Sequence, residues 1–266
     1  MKITAKILAD SVHGLFNTRL TTLELRYPRY IHAEFMTHRV FSRNASSSRA
    51  IPIQKQIDAI ESDPVFPLEW GTNKPGMQAG EALDTESRTA AENEWQLALN
   101  DAIRHARVLK GLGVHKQIVN RILEPFSYIT VIVTATDWPN FFDLRISPLA
   151  QPEIQDLAKK IRHAMDQNIP TPMLPGQAHL PFVTNDEREQ NAISLNMMLS
   201  AARCARVSYL THDGLAPDTN KDMALAERLL ADRHASVFEH QAQPREFTGH
   251  SRNFKNWLQH RDILGL

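Results

Sequence analysis

The chain has 266 residues, 42% of them hydrophobic and 23% charged, the mix of a globular protein rather than a disordered one. Thirty basic and thirty acidic side chains cancel, so no global field points to nucleic acid or an anionic membrane. No apolar run is long enough to span a bilayer, and a single cysteine, Cys204, excludes an internal disulfide or a cysteine-cage metal site.

The opening MKITAKILAD alternates and contains Asp10. It reads as a strand over Lys2 to Ala9 rather than as a signal peptide, which makes the cytoplasm the expected location. Leu20 to Tyr27 alternates cleanly, with Leu23, Leu25 and Tyr27 on one face and Thr22, Glu24 and Arg26 on the other. Pro28 ends that strand, and Tyr30 to Thr37 follows as a short helix. Thr37 to Arg49, THRVFSRNASSSR, is expected to be a loop, because Ser and Asn form helices poorly. Pro64 to Gly80 reads as a surface excursion.

Asp84 to Leu109 predicts a long helix with an apolar stripe on Ala91, Trp95, Ala98, Ala102, Ala106 and Leu109. Gly111 and Gly113 break it, and a short helix runs to about Leu123. Ile129 to Val133 is a β-branched run expected to be a buried strand. Gln151 to Gln167 is an amphipathic helix on Ile154, Leu157, Ala158, Ile161 and Met165. Ile169 to Phe182 reads as a linker or loop, and helices are expected at about 190–206, 219–233 and 251–263. Helices and strands without regular βαβ alternation suggest an α+β domain, taken as a single domain over 1–266.

In THRVFSRNASSSR, Arg39, Arg43 and Arg49 stand among Ser42, Asn44, Ser46, Ser47 and Ser48. Guanidinium forks, hydroxyls and free backbone N–H groups are the donors that hold phosphate well. A second segment, residues 113–154, carries Arg121 before Leu123 and Pro125, then Asn140, Arg145 and QPEI. A third, 201–245, contains AARCARVSY and HASVFEH. His234, His240 and His250 lack acidic or cysteine partners at familiar spacing, so no metal is expected.

These three stretches resemble the flavin-dependent thymidylate synthases. The family signature R-H-R, seven residues, S is matched by Thr37-His38-Arg39 and Ser47, with Arg49 closing it. The family's usual order is different: the stretches like AARVSY and FEH normally precede the signature, and here they follow it. The chain therefore looks circularly permuted, and residues 234–245 are expected to lie beside strand 20–27.

The resemblance implies a mostly antiparallel central sheet with several long helices, FAD as cofactor, and methylenetetrahydrofolate and NADPH as co-substrates. It also implies dUMP as substrate and a homotetramer with shared active sites, without nucleic acid or membrane. By the same resemblance Arg145 and Ser47 form the catalytic centre, Arg145 against the pyrimidine and Ser47 as a nucleotide ligand rather than a nucleophile. Glu34, Ser46, Ser48, Arg49 and Arg121 bind the nucleotide. His38, Arg39, Val40, Thr134 and Asn140 bind the flavin, with Ser236 reaching it from a neighbouring subunit.

Five positions depart from the family, one of them Ala50 in place of the Tyr that usually follows the closing Arg. Thr37 replaces the first Arg of the signature, with Arg43 a candidate substitute, and Ala45 replaces the usual Glu. Thr134 and Thr136 stand where an Asn and a basic residue are usual. These departures leave open another pyrimidine nucleotide or a 5-hydroxymethyl product; a nucleic-acid-binding protein is the remaining alternative. Cys204, in an Ala-rich helical pattern, reads as a small buried residue rather than a nucleophile.

Overall fold

The computed structural model describes residues 3–208 and 218–266, so Lys2 and Tyr209, both in segments read above, lie outside it. β1 (Thr4–His13) and β2 (Arg19–Pro28) form a hairpin. A single turn over Arg29–Ile31 leads into α1 (His32–Met36), β3 (Ser42–Ala45) and α2 (Ile53–Ser62). The long helix α3 (Thr85–Gly111) is followed by α4 (Lys116–Val119) and a tight helical turn over Asn120–Phe126. β4 (Tyr128–Ala135), α5 (Pro139–Arg145), α6 (Pro152–Asp166) and β5 (Thr171–Met173) come next. The last third holds α7 (Asn185–Gln190), α8 (Ile193–Ala205), α9 (Thr219–Ala231) and a turn over Ala235–Glu239. It closes with β6 (Ala242–Pro244), β7 (His250–Ser251), β8 (Phe254–Lys255), β9 (Trp257–Gln259) and α10 (His260–Ile263).

The main sheet has the order β3-β4-β2-β1-β5 and is antiparallel except for the β1–β5 pair. This is the expected α+β class with a mostly antiparallel sheet. The strand alternation read from the sequence holds: Leu23, Leu25 and Tyr27 share a core with Val131, Val133, Phe35, Phe141 and the α6 residues Leu157 and Ile161. All five residues chosen for the inner face of α6 are buried.

The opposite face is not left to solvent. Leu20 packs with Ala242, Phe254 and Trp257, while Ile132 packs with Cys204 and Val207. The C-terminal third therefore covers the β2–β4 face, and Ala242 lies against β2 as expected for residues 234–245. Four buried polar side chains on this side lie in one hydrogen-bonded chain, completed by Ser11. It runs Ser11–His179–Thr22–Thr134–His240, with links of 2.8, 2.7, 2.7 and 2.8 Å. Pairing of this kind lowers the cost of holding threonine and histidine in a core, although His240 Nε2 is buried with no hydrogen-bond partner among the described residues.

Some sequence readings need correction. Thr37–Arg49 is not wholly loop, because residues 42–45 extend as β3 and cover the free edge of β4. On α3, Ala106 is buried and Trp95, Ala102 and Leu109 pack against the same core as read, but Leu99 and Ile103 lie at its centre and Ala98 is exposed. The larger side chains set the face. Gly113, at φ +78, allows the stop of α3 by bonding its N–H to the Lys110 carbonyl while Val114 bonds to Leu109. The linker 169–182 contributes β5, and His179 within it bridges to Ala242. The expected helix at 251–263 is helical only from His260 to Ile263.

Candidate active site

α1, the turn that follows it and the end of α5 meet at one guanidinium. The Arg145 Nε donates to His38 Nε2 at 2.9 Å, and Nη2 donates to Thr37 Oγ1 at 3.2 Å. Nη1 stands 3.5 Å from the Glu34 carboxylate. On α5, Phe141 and Arg145 lie four residues apart on one side of the helix. The Phe141 ring meets His38 edge-on at 4.9 Å, and Phe41 flanks the imidazole at 5.8 Å. Burial, reinforced by the charges of Arg145 and Arg43, lowers the His38 pKa to about 4. The ring is therefore neutral near physiological pH, and its Nε2 lone pair is the acceptor that orients Arg145.

Thr37 gains a rationale here. Its hydroxyl donates to the Glu34 carbonyl at 2.7 Å while accepting from Arg145, so it supplies an oxygen where an arginine would set a second positive charge beside the first. Arg43 does not take over as a ligand-facing guanidinium. Its Nη1 donates to the carbonyls of Met36 at 2.9 Å and His38 at 3.2 Å, bracing the turn that presents His38.

A second cluster forms at the far end of β3. Ser46 is buried and continues the sheet, exchanging backbone and hydroxyl bonds with Thr130. Asn120 Nδ2 donates to the carbonyls of Ser48 and Ile51 at 2.7 and 2.9 Å, latching the loop to the turn after α4. Ser48 Oγ donates to Glu124 Oε1 at 2.7 Å, and Arg121 Nη1 donates to the same oxygen at 2.9 Å. Arg29 Nη2 donates to the Ser46 carbonyl at 3.2 Å. Ser47 is half-buried and Arg49 exposed. A cleft of about 160 Å³ opens beside Ser46, lined by Thr130, Tyr128, Arg26 and Lys55 among others.

Within one chain the expected site residues thus fall into two groups: Glu34, Thr37, His38 and Arg145, and Ser46 to Arg49 with Arg121. The four residues of β3 between them span about 13 Å. Arg39 and Asn140 are exposed. Ser236 is also exposed, on the turn that follows α9. Thr134 is fully buried with its hydroxyl committed to Thr22 and His240. Thr136, the neighbouring departure, accepts from the backbone N–H of Lys255 at 3.1 Å. Asn253 Nδ2 donates to the Val40 carbonyl at 2.8 Å and to Ser42 Oγ at 3.1 Å, and Gln259 Nε2 also reaches Ser42 at 3.1 Å.

Sequence reasoning missed Arg29, Glu124, Asn253 and Gln259. Only Glu124 carried a local signal, three residues after Arg121 on a helical turn.

Residues 2–171 match the family model described as thymidylate synthase complementing protein. The chain belongs to this family. The matched region contains both residue clusters of the site; Ser236, Asn253 and Gln259 lie beyond it. No curated protein matches the chain. Among solved structures it is similar to the UMP/dUMP methylase PolB from Streptomyces cacaoi bound with 5-Br UMP, at 19% identity and a TM-score of 0.51, over 62% of this chain and 89% of that one. A further similarity is to the flavin-dependent thymidylate synthase ThyX from Helicobacter pylori complexed with FAD and dUMP, at 19% identity and a TM-score of 0.39, over 55% and 67% of the two chains. The PolB match is a likeness of fold.

Proposed function

We propose that this family member methylates dUMP to dTMP, with FAD as cofactor, methylenetetrahydrofolate as carbon donor and NADPH as reductant. The observation that carries the reading is the fixation of Arg145 by Glu34, Thr37 and His38, residues from two separate stretches. With Nε used by His38, one Nη2 hydrogen by Thr37 and one Nη1 hydrogen turned to Glu34, the guanidinium keeps one further N–H on each terminal nitrogen. Two parallel donors suit a carbonyl next to an ionisable ring nitrogen, as in uracil. Charge developing on that ring is stabilised by a cation already held in place, which makes C5 the nucleophile without help from a protein thiol.

The residues fit a flavin. Arg39 and Asn140 offer an exposed guanidinium and amide beside the braced turn, and Asn253 holds the Val40 carbonyl at its edge. When bound, the flavin supplies the hydride and carries the one-carbon unit to C5. Ser46 to Arg49 and Arg121 hold the nucleotide phosphate. The cleft beside Ser46, at about 160 Å³, falls below the ~300–1,000 Å³ usual for ligand pockets. Together with the separation of the two clusters along β3, this favours a homotetramer in which one copy completes the site of another.

The test is direct. Purified protein should show flavin absorbance, alone or after reconstitution with FAD. It should convert dUMP to dTMP with methylenetetrahydrofolate and NADPH. Conversion of dCMP instead, or a 5-hydroxymethyl product by mass spectrometry, would replace the substrate or product named here. Colourless protein that takes up no FAD would overturn the flavin chemistry.

A further inference from the structure

Three of the donors gathered at the end of β3 converge on a single oxygen. Glu124 Oε1 accepts from Ser48 Oγ at 2.7 Å and from Arg121 Nη1 at 2.9 Å, and Arg29 Nη1 lies 3.9 Å from it. Arg29 is largely buried, and its Nε has no hydrogen-bond partner among the described residues. A hydroxyl and two guanidinium groups around one anionic oxygen are the surroundings a phosphate oxygen would have. We propose that Glu124 is an internal stand-in for the nucleotide phosphate, holding the cradle together when empty and competing with the ligand for it.

The inference rests on reading Ser46 to Arg49 and Arg121 as the phosphate end of the site. Arg29 and Arg121 carry two positive charges and Glu124 one negative, which leaves a net of one against a phosphate dianion. With the carboxylate in place, ligand and Glu124 would share the same donors at hydrogen-bond distance, where like charges repel most strongly. The side chain has somewhere to go. It is about a quarter exposed, at 24%, and it projects from the turn Asn120–Phe126, whose backbone is stiffened by Pro125. The carboxylate can swing to water while the backbone stays fixed. Glu124 thereby sets how tightly a phosphate-bearing substrate is held and selects against ligands too weakly charged to displace it.

Calorimetric titration of the full chain with inorganic phosphate, and separately with dUMP, tests this. E124Q keeps an acceptor for Ser48 and loses the charge; E124A removes the occupant altogether. Both should bind phosphate and dUMP on the order of tenfold more tightly than the parent, a gain of about 1.4 kcal/mol. Adding R121L to E124Q should abolish the gain. The proposal falls if folded E124Q and E124A bind phosphate no more tightly than the parent, or if the gain survives R121L. Inorganic phosphate carries no pyrimidine, so this readout stands even if dUMP proves not to be the substrate, and failure to turn over dUMP leaves it untouched.

Discussion

At Arg145 orientation matters more than charge. A lysine there would keep the positive charge, but it could not bond His38 and Thr37 while presenting two coplanar N–H groups. R145K should therefore retain flavin and fold yet lose about 10²–10³ in kcat/KM, read from steady-state kinetics beside the flavin spectrum. Near-parental rates would remove Arg145 from the reaction. Cys204 gives the opposite expectation. It is fully buried against Ile132 and Val207, and burial pushes its thiol pKa far upward, so no thiolate is available to attack a pyrimidine. C204A should keep turnover within about twofold while melting a few degrees lower through lost packing; loss of turnover in a folded protein would restore a covalent route. Glu34, His38 and Arg145 were legible in the sequence through the family resemblance, and the structure brings them together although Arg145 comes from a segment far along the chain from the other two. Arg29, Asn253 and Gln259 were not, because their contacts join residues far apart in the chain and nothing in their neighbours announces them.

Among the elements, the long periodic helices were legible and the small C-terminal strands were not. Phe254, Trp257 and Leu258 have spacing that a helix would accept. What defeats the helix is backbone. Arg252 and Asn256 adopt φ of +56° and +62°, Asn being among the residues that tolerate this region. Asn256 donates its N–H to the Gly249 carbonyl at 2.7 Å. The resulting short strands place Asn253 and Gln259 on the signature segment and Lys255 on Thr136. A different device joins the helices α7, α8 and α9. Arg203 is buried and donates to Glu187 at 2.6 Å and to Asp222 at 2.8 Å, and chiefly this hydrogen bonding holds the Glu187 carboxyl down to about 2. Asp222 also pairs with Arg206, which would leave it partly compensated. R203L should cost about 3 kcal/mol, the low end for a broken buried pair, measured by urea unfolding. A change below about 0.5 kcal/mol would mean that the helices are held by apolar packing alone.

The scale of the whole molecule turns on how the C-terminal third meets the sheet. The family match stops at residue 171, yet the β2–β4 face is buried by residues beyond it, and Thr134 and Thr136, two departures from the family pattern, both bond to that later segment. We propose that the chain order is rearranged, the later segment covering the sheet face from the C-terminal side of the sequence. The same interface sets the response to acid. Burial lowers His179 to a pKa of about 3, assisted by the nearby charge of Arg188, and burial likewise lowers His240 to about 3. In the unfolded chain both return to about 6.5, so between these values the unfolded state binds more protons and stability rises with pH. Their contribution is complete above about pH 6.5 and is lost as pH falls toward 3, by up to roughly 1.4 kcal/mol per pH unit for each histidine. His38, lowered to about 4, acts in the same direction. Protonating His179 or His240 puts a charge where the hydrogen-bond partners are hydroxyls and where the positive charge of Arg188 already stands against His179, so the C-terminal cover should be the first part released. Melting curves from pH 7 to pH 4 should show a steep fall in Tm, and H240Q, which cannot take up a proton, should show a shallower one from a lower starting stability. A parental Tm flat across that range would mean that these histidines are solvated, and that the later third does not seal the sheet.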